Sequence, residues 1–476
     1  MTDKVDVAVL GAGPAGLEAA ITAVEMGLRV ALVDHYPQAG GQYYKQLPAA
    51  FQGTVKTAAQ RDGKFLLDLL NGLPVEQYLN TLVWGAFPAE GEAGWLLALH
   101  GEGAPKRLQA RAVIIATGAY DLAVPFPGWT LPGVITGGAT QILVKNQGVV
   151  PGKRALLSGS GPLQLAVAAQ LIRAGVEVTA VLEASSPIWK GMRHAFDLWG
   201  QWERMIEGWD YARAMIGAGV PYRLGWSVVA AHGTESVQEA VIARLDGDWK
   251  PIPGSEQRIA VDTVITSFGL VPNNGIARML GCAHTLVPEK GGFVPTRDET
   301  MQTTQPDVYV VGDAAGIGGA ELARLEGRVA GLAAAWRSGK LNDSQVSAAY
   351  GRFRHELKRQ QRFAKLLGIL FTPQPGIFTV ADAETIVCRC EEITLGEIHA
   401  AVADGARTPG EVKMLTRCGM GNCQGRMCEL NVARAIVNAA AEKGTSLQGM
   451  EGFTVRPPLH PLTVSALAEA AELDDV

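Results

Sequence analysis

A chain of 476 residues is too long for one ordinary domain and long enough for about three. With 47% hydrophobic and 19% charged residues it has the composition of a globular protein, and a net charge of −5 gives no general pull toward nucleic acid or anionic membrane. No stretch approaches the ~20 uninterrupted apolar residues of a membrane span. The first strand signal begins within a few residues of Met1, which leaves no room for a signal peptide and makes a cytoplasmic protein the expectation.

Val5 to Leu10 is an apolar run of the kind that forms a buried strand, and it leads directly into Gly11-Ala-Gly13-Pro14-Ala15-Gly16. A helical stretch over 17–26 follows, then a second strand, Arg29 to Val33, ending at Asp34. Strand, glycine turn, helix, strand and terminal acid fit one βαβ unit that binds a dinucleotide. Gly11 permits the tight turn, Gly13 lets backbone approach a pyrophosphate, and Gly16 lets helix and strand pack closely. The helix N-terminus offers unpaired N–H groups to the phosphates, and Asp34 is placed to hold ribose hydroxyls. Next comes Gly40-Gly41-Gln42-Tyr43, either a surface turn or, in a flavoprotein, backbone passing close to the ring system with Gln42 and Tyr43 as contacts.

Residues 50–110 show only alternating patterns that suggest antiparallel strands. Ala112 to Ile115 is a buried strand ending in Ala-Thr117-Gly118. The opening unit then recurs: strand Arg154 to Ser158, turn Gly159-Ser-Gly161-Pro-Leu-Gln164, a helix, and a strand ending at Glu183. Gln164 replaces the third glycine, which weakens close helix packing there. Glu183 stands where an acid would hold a ribose 2′-hydroxyl and repel a 2′-phosphate. The unit therefore takes NAD or another adenine nucleotide, or is kept for its shape alone. Trp202, Met205 and Trp209 form one stripe of a helix, either packed on its own domain or offered to a partner.

After a return strand, Val261 to Gly269, an apolar strand ends in Gly312-Asp313. With the Ala-Thr-Gly strand and the inserted nucleotide unit, this resembles the two-dinucleotide-binding-domain, glutathione-reductase-like α/β fold. That resemblance implies FAD in the first unit, Asp313 on its ribityl chain, and a helix from Ala320 whose N-terminal dipole faces the flavin. A redox dithiol of the CxxC type is absent, because no two cysteines lie near each other before residue 388.

Five of the six cysteines crowd into the last quarter of the chain, Cys388-Arg-Cys390 and then Cys418-x4-Cys423-x4-Cys428. In a reducing compartment such a group indicates a metal centre rather than disulfides. Zinc would accept four of these ligands. The spacing is unlike the CxxC pairs of zinc ribbons, and a flavoprotein needs a one-electron outlet, so [2Fe-2S] is preferred, with Cys388, Cys390, Cys418 and Cys423 as ligands. Cys428 is read as a buried thiol inside a helix over 426–441. Thr394 and Glu397 form a capping box. The segment resembles the bacterioferritin-associated-ferredoxin type of domain, a small α-helical fold.

The chain thus divides into a discontinuous FAD domain over 1–120 and 265–335, an inserted nucleotide domain over 121–264, a helical linker over 336–376, a [2Fe-2S] domain over 377–445 and a proline-containing tail over 446–476. The tail reads as a loose terminus or an arm laid across a neighbour. This combination, with Arg417 to Arg426 as its most specific passage, resembles the large FAD subunit of opine (octopine-type) oxidases or dehydrogenases, hydrogen cyanide synthase and D-hydroxyproline or proline dehydrogenase complexes. The resemblance implies a smaller FAD subunit of the amino-acid-oxidase type as partner, with a small ferredoxin-like subunit in some complexes. This chain would then be the electron-transfer subunit, passing electrons from the partner flavin through its cluster to its own FAD and an external acceptor. No catalytic acid, base or nucleophile is assigned; His35 and His194 read as surface or core residues. The competing reading is a self-sufficient NADH-dependent FAD/iron–sulfur reductase, with NAD held by Gly161 and Glu183.

Overall fold

A computed structural model describes residues 3–45, 58–91, 93–186, 201–440, 446–447 and 449–471. His194 and Trp189 lie outside them. Strand Asp3–Leu10 is buried along Val7 to Leu10 and pairs in parallel with Val30–Val33 on one side and Arg107–Ile115 on the other. Apolar side chains on both faces place it mid-sheet, with helices covering the sheet. Val75–Tyr78 extends the sheet in parallel beyond Val30–Val33, and Val308–Val310 joins in parallel beside Arg107–Ile115. Thus the chain returns after almost 200 residues to deliver Gly312 and Asp313 next to the opening glycine turn. Trp95–His100 and Leu82–Pro88 form the expected antiparallel pair. The segment before them differs from expectation: Ala58–Asn71 is an amphipathic helix, because its apolar residues Leu66 and Leu70 recur every four residues.

The inserted unit has a five-stranded parallel sheet, in the order 222–224, 177–183, 154–159, 263–267, 134–136, beside a three-stranded antiparallel sheet. Two short strands, Ala119–Asp121 and Leu270–Pro272, pair antiparallel where the chain leaves and re-enters the flavin domain. A two-stranded crossing of this kind fixes the relative position of the two nucleotide units.

The linker helix Arg354–Phe371 buries Leu357, Phe363, Leu366 and Leu370 along one face. Beyond it, helices Leu395–Ala403 and Pro409–Thr416 both start with capping boxes, Thr394 with Glu397 as expected and Thr408 with Glu411 besides. Ile398, Val412, Val432 and Ile436 close a small core of their own. This module is docked rather than tethered. Trp129 Nε1 donates to the Ile386 carbonyl at 2.6 Å, Asn431 Nδ2 donates to the Ala123 carbonyl at 2.7 Å, and Arg278 makes a bidentate ion pair with Glu429.

The described part of the tail packs on its own chain around Phe453 and Leu459. Phe453 and Leu459 are buried, the Leu459 N–H donates to the Trp84 carbonyl at 2.7 Å, and Arg426 donates to the Leu459 carbonyl at 3.2 Å. Interleaved apolar residues bury while the prolines keep the segment extended, so it straps the cysteine module onto the flavin domain.

Burial leaves two histidines with little affinity for a proton. His284 is lowered to about 4 by burial and nearby Arg278, and His460 to about 4 by burial, Arg426 and His35. The unfolded chain binds those protons near pH 6.5, so stability is complete above that pH and falls progressively towards pH 4. Thermal melts between pH 7 and 4.5 are expected to show this decline, and His284→Gln to make it shallower; identical slopes would dismiss His284 as a contributor.

Candidate functional site

Three glycines shape the first turn by close approach. A Cβ on Gly16 would lie 1.8 Å from the Gly11 carbonyl oxygen, and one on Gly11, whose φ is +104°, would lie 2.4 Å from the Ala116 oxygen. A Cβ on Gly41 would meet the Gly13 Cα at 2.7 Å, so these two backbones touch and both line the same cavity as Pro14, Ala15, Gln42 and Tyr43. Asp34 Oδ2 accepts from the Ala12 N–H at 2.6 Å and Oδ1 from the Tyr36 N–H at 2.8 Å. The carboxylate is thereby locked at the strand end, in the cavity wall. Thr117 donates through its hydroxyl to the Asn273 carbonyl, and Asn273 returns a bond to the Thr117 carbonyl at 3.3 Å, tying Gly118 to the crossing strands.

Asp313 Oδ1 accepts from the Gly318 and Gly319 N–H groups at 2.9 and 3.1 Å, which shapes the turn before helix Ala320–Arg337. Its other oxygen takes no donor among the described residues, and Asp313 lines the cavity. Burial raises its pKa. Nothing in the sequence marks what positions Gly312. Its N–H donates to Glu326 Oε2 at 2.8 Å, and Arg297 clamps the same carboxylate through both terminal nitrogens while donating to the Val310 carbonyl. Glu326→Ala leaves the largely enclosed Arg297, 17% exposed, without a counter-charge. The expected cost is about 3–5 kcal/mol, read as a lowered unfolding midpoint together with loss of bound flavin; an unchanged midpoint would remove the pair from the account.

The cavity has a volume of about 2280 Å³ and runs from Asp34 and the first glycine turn past Asp313 to Gly161 of the second. Touching backbones at Gly13 and Gly41, a strand-end acid and a second acid with a free oxygen fit an extended FAD.

The second turn differs chemically. Glu183 is fully buried, and its carboxylate accepts from Gly161 N–H at 3.0 Å, Gln164 Nε2 at 2.8 Å and Ser185 N–H at 2.9 Å, with the Tyr222 hydroxyl at 3.4 Å. Four donors on one carboxylate use nearly all of its acceptor positions. Gly159 packs tightly, since a Cβ there would lie 2.0 Å from the Ser267 oxygen, and Phe371 of the linker helix lies 3.7 Å from the Cβ position of Gly161. Glu183, expected to hold ribose hydroxyls, is bonded here by the side chain of Gln164, and only the Ser185 N–H donates to its Oε1 among the described residues.

The cysteines converge. The sulfurs of Cys388, Cys418 and Cys428 lie within 4.8 Å of one another and all three are buried. Hydrogen bonds from Cys418 and then Cys428 pull Cys388 far down to about 2, and the same bonds push Cys418 and Cys428 up. The Gly419 N–H donates to Cys388 Sγ at 3.4 Å. Cys390, more exposed, is hydrogen-bonded to Cys423, and its Cβ would clash with one on Gly421. Cys428 as a thiol inside a helix needs correcting. Gln424 and Gly425 have φ of +52° and +83°, which breaks helical geometry, so the helix begins at Glu429 and Cys428 becomes its N-cap, facing the other thiols. Five sulfurs in a glycine-rich nest at a helix N-terminus can hold a [2Fe-2S] cluster.

The stripe on helix Trp202–Gly217 does not pack on its own domain over the described part: Met205 and Trp209 are 50% and 68% exposed, and the neighbouring Ile206 is 69% exposed. The side chain of Trp202 lies outside the described residues.

Comparison with known proteins places this geometry in a class. Residues 5–339 match the pyridine nucleotide-disulphide oxidoreductase family and residues 386–439 the BFD-like [2Fe-2S] binding domain. The chain is thus an FAD-dependent oxidoreductase with a helical [2Fe-2S] module, and the expected fold class holds.

It belongs, more closely, to the family that holds the opine oxidase A-type subunits and the HcnB subunits of hydrogen cyanide synthase, enzymes acting on CH–NH donors. It is 32% identical to the A-type subunit of the opine oxidase of Agrobacterium tumefaciens (strain Ach5), over 98% of this chain and 92% of that one. Identity to HcnB of Pseudomonas protegens is 30%, over 96% of each. The L-proline dehydrogenase of P. horikoshii shares the fold with a TM-score of 0.68 at 20% identity, covering 98% of this chain and 80% of that one. No helix among the described residues is long and apolar enough to cross a membrane.

Proposed function

We propose that this chain is the electron-transfer subunit of a cytoplasmic, multi-subunit amino-acid or opine dehydrogenase. A smaller FAD subunit of the amino-acid-oxidase type oxidises the C–N bond. Electrons then pass through the [2Fe-2S] centre of this chain to its own FAD and an external acceptor, a flavin being able to take one or two at a time.

The observation that carries this reading is helix Glu429–Ala439. It is capped by Cys428 at one end, and Leu430 and Arg434 on it line the flavin cavity. Six residues of helix span about 9 Å, so one rigid element joins the cysteine nest to the flavin cavity. The exposed Met205, Ile206 and Trp209 support a partner subunit, being the apolar and aromatic types that interfaces use. The names of the relatives, which are those of subunits, point the same way.

The four donors already on Glu183 disfavour the alternative, a self-sufficient NADH reductase. An anaerobic visible spectrum tests the two. NADH is expected to bleach nothing while dithionite reduces flavin and cluster together; rapid bleaching by NADH would overturn the proposal. In the assembled complex, Cys418→Ser with Cys423→Ser is expected to retain FAD and lose dye reduction, and retained activity would remove the relay.

A further inference from the structure

Arg434 is 8% exposed and makes no hydrogen bond or ion pair among the described residues; its Nε is buried without an acceptor. Three partly buried arginines contrast with it. Arg278 has Glu429, Arg297 has Glu326, and Arg324 has Glu18, each within 3.0 Å. An uncompensated buried charge costs several kcal/mol, so chains retain one where a ligand completes it.

Its surroundings say what that ligand is like. The guanidinium lies 4.3 Å over the Phe378 ring, and Phe378, Leu430, Phe268 and Leu122 line the same cavity. Burial lowers Arg434 to about 10, with no nearby charge contributing, so it stays cationic at neutral pH. Two of the acids elsewhere in the wall are engaged by other groups, Asp121 by Thr136 and Gly138 and Glu356 by Arg359 and Gln360. Phe268 and Gly269 follow strand Thr263–Ser267 directly, at the carboxyl edge of the second nucleotide sheet, where open α/β sheets bind ligands. At about 2280 Å³ the cavity is more than twice the roughly 300–1,000 Å³ of a single-ligand pocket.

We propose that Arg434 is the anchor of an anion site in the cavity wall, taking the negative charge of a flat, largely apolar group. Two sources share this chemistry: the pyrimidine edge of the chain's own reduced flavin, and the carboxylate of a separate small ligand. The site rests on FAD occupying the cavity. It adds a ligand contact from the iron–sulfur module, which the flavin fold by itself does not supply.

The test uses the full chain with both cofactors and the variants Arg434→Met and Arg434→Lys. Flavin midpoint potentials are measured by spectroelectrochemistry, and benzoate is titrated by visible difference spectra of the oxidised protein. If reduced flavin is the anion, Arg434→Met shifts the reduction equilibrium at least about tenfold toward oxidised flavin, about 30 mV for two electrons, and Arg434→Lys restores most of it. If a separate ligand is the anion, the potential holds while benzoate binding weakens at least tenfold in Arg434→Met. An unchanged potential with unchanged benzoate binding overturns the site.

Should Arg434→Met fail to fold, wild type and Arg434→Lys still decide. A reduced flavin whose spectrum is that of the neutral form across pH 6–8, together with no benzoate binding, overturns it equally. Flavin and iron content are assayed in every sample, so a chain purified without FAD would sink the functional reading itself, separately from the role of Arg434.

Discussion

Serine in place of Cys428 yields a protein that keeps its flavin spectrum and loses its iron–sulfur absorbance. Cys428 Sγ stands 4.0 Å from Cys418 Sγ inside the buried nest with Cys388, at the N-cap of helix Glu429–Ala439. Thiolate ligands there gain from the helix end and from the turn's N–H groups, and an alcohol neither ionises at neutral pH nor binds iron comparably. Losing a group that only hydrogen-bonds a metal ligand already costs about 10–100-fold in metal affinity, so loss of this sulfur is expected to lower cluster occupancy at least tenfold. Iron and sulfide assays beside the flavin spectrum measure it. Cys282→Ser is the control, since that thiol bonds Thr303 in the flavin domain. Full cluster occupancy in Cys428→Ser would return Cys428 to the role of a packing thiol and leave the ligation to the other four.

The second large effect is expected at Gly16. Valine there puts a Cβ, which needs more than 3 Å, at 1.8 Å from the Gly11 oxygen, and the obstruction is backbone rather than a side chain that can swing away. Helix Pro14–Glu25 must back off the strand. Overpacking of this kind costs about 1–3 kcal/mol of stability, and the displaced N–H groups at the helix start no longer converge where the pyrophosphate would lie. The protein is expected to purify with flavin bands at least tenfold below wild type and with its cysteine module still loaded. Gly27→Ala is the comparison: its φ is +82° but nothing lies within 4 Å of the added carbon, so it costs some backbone strain and no flavin. Full flavin content in Gly16→Val would mean that the first turn does not carry the cofactor.

What is legible in the chain is what local pattern encodes. Two strand–glycine–helix turns, the Gly312-Asp313 strand end and the Thr394–Glu397 box depend on residues within one element or its immediate neighbour, so spacing reveals them. Partnerships formed by folding escape. Gln164 looks like a defect in a fingerprint, yet its amide reaches Glu183, 19 residues away, and completes it. Glu326 sits in the middle of an alanine-rich helix with nothing nearby to mark it as the support of Gly312. Arg434 looks like any basic residue on an amphipathic helix until its burial is known. The last long helix starts at Glu429 rather than at Arg426, because a left-handed Gln424 carries no signature in sequence. Such a conformation is uncommon for residues other than glycine, so no reading by type anticipates it.

The cysteine module's mooring has a kinetic meaning. Trp129 and Asn431 pin it by hydrogen bonds, Arg278 and Glu429 by charge, and the strap by Phe453 against the glycines beside the thiols, Leu459 over Gly275 and His460 in the cavity wall. A carrier that swings between donor and acceptor waits on diffusion through solvent. If electrons cross the module as proposed above, it is a stationary wire, and turnover would have no large-scale rotation to slow it. Thickening the buffer with sucrose should leave the internal electron rate where it was, and any viscosity dependence would come from encounters with whatever takes the electrons away.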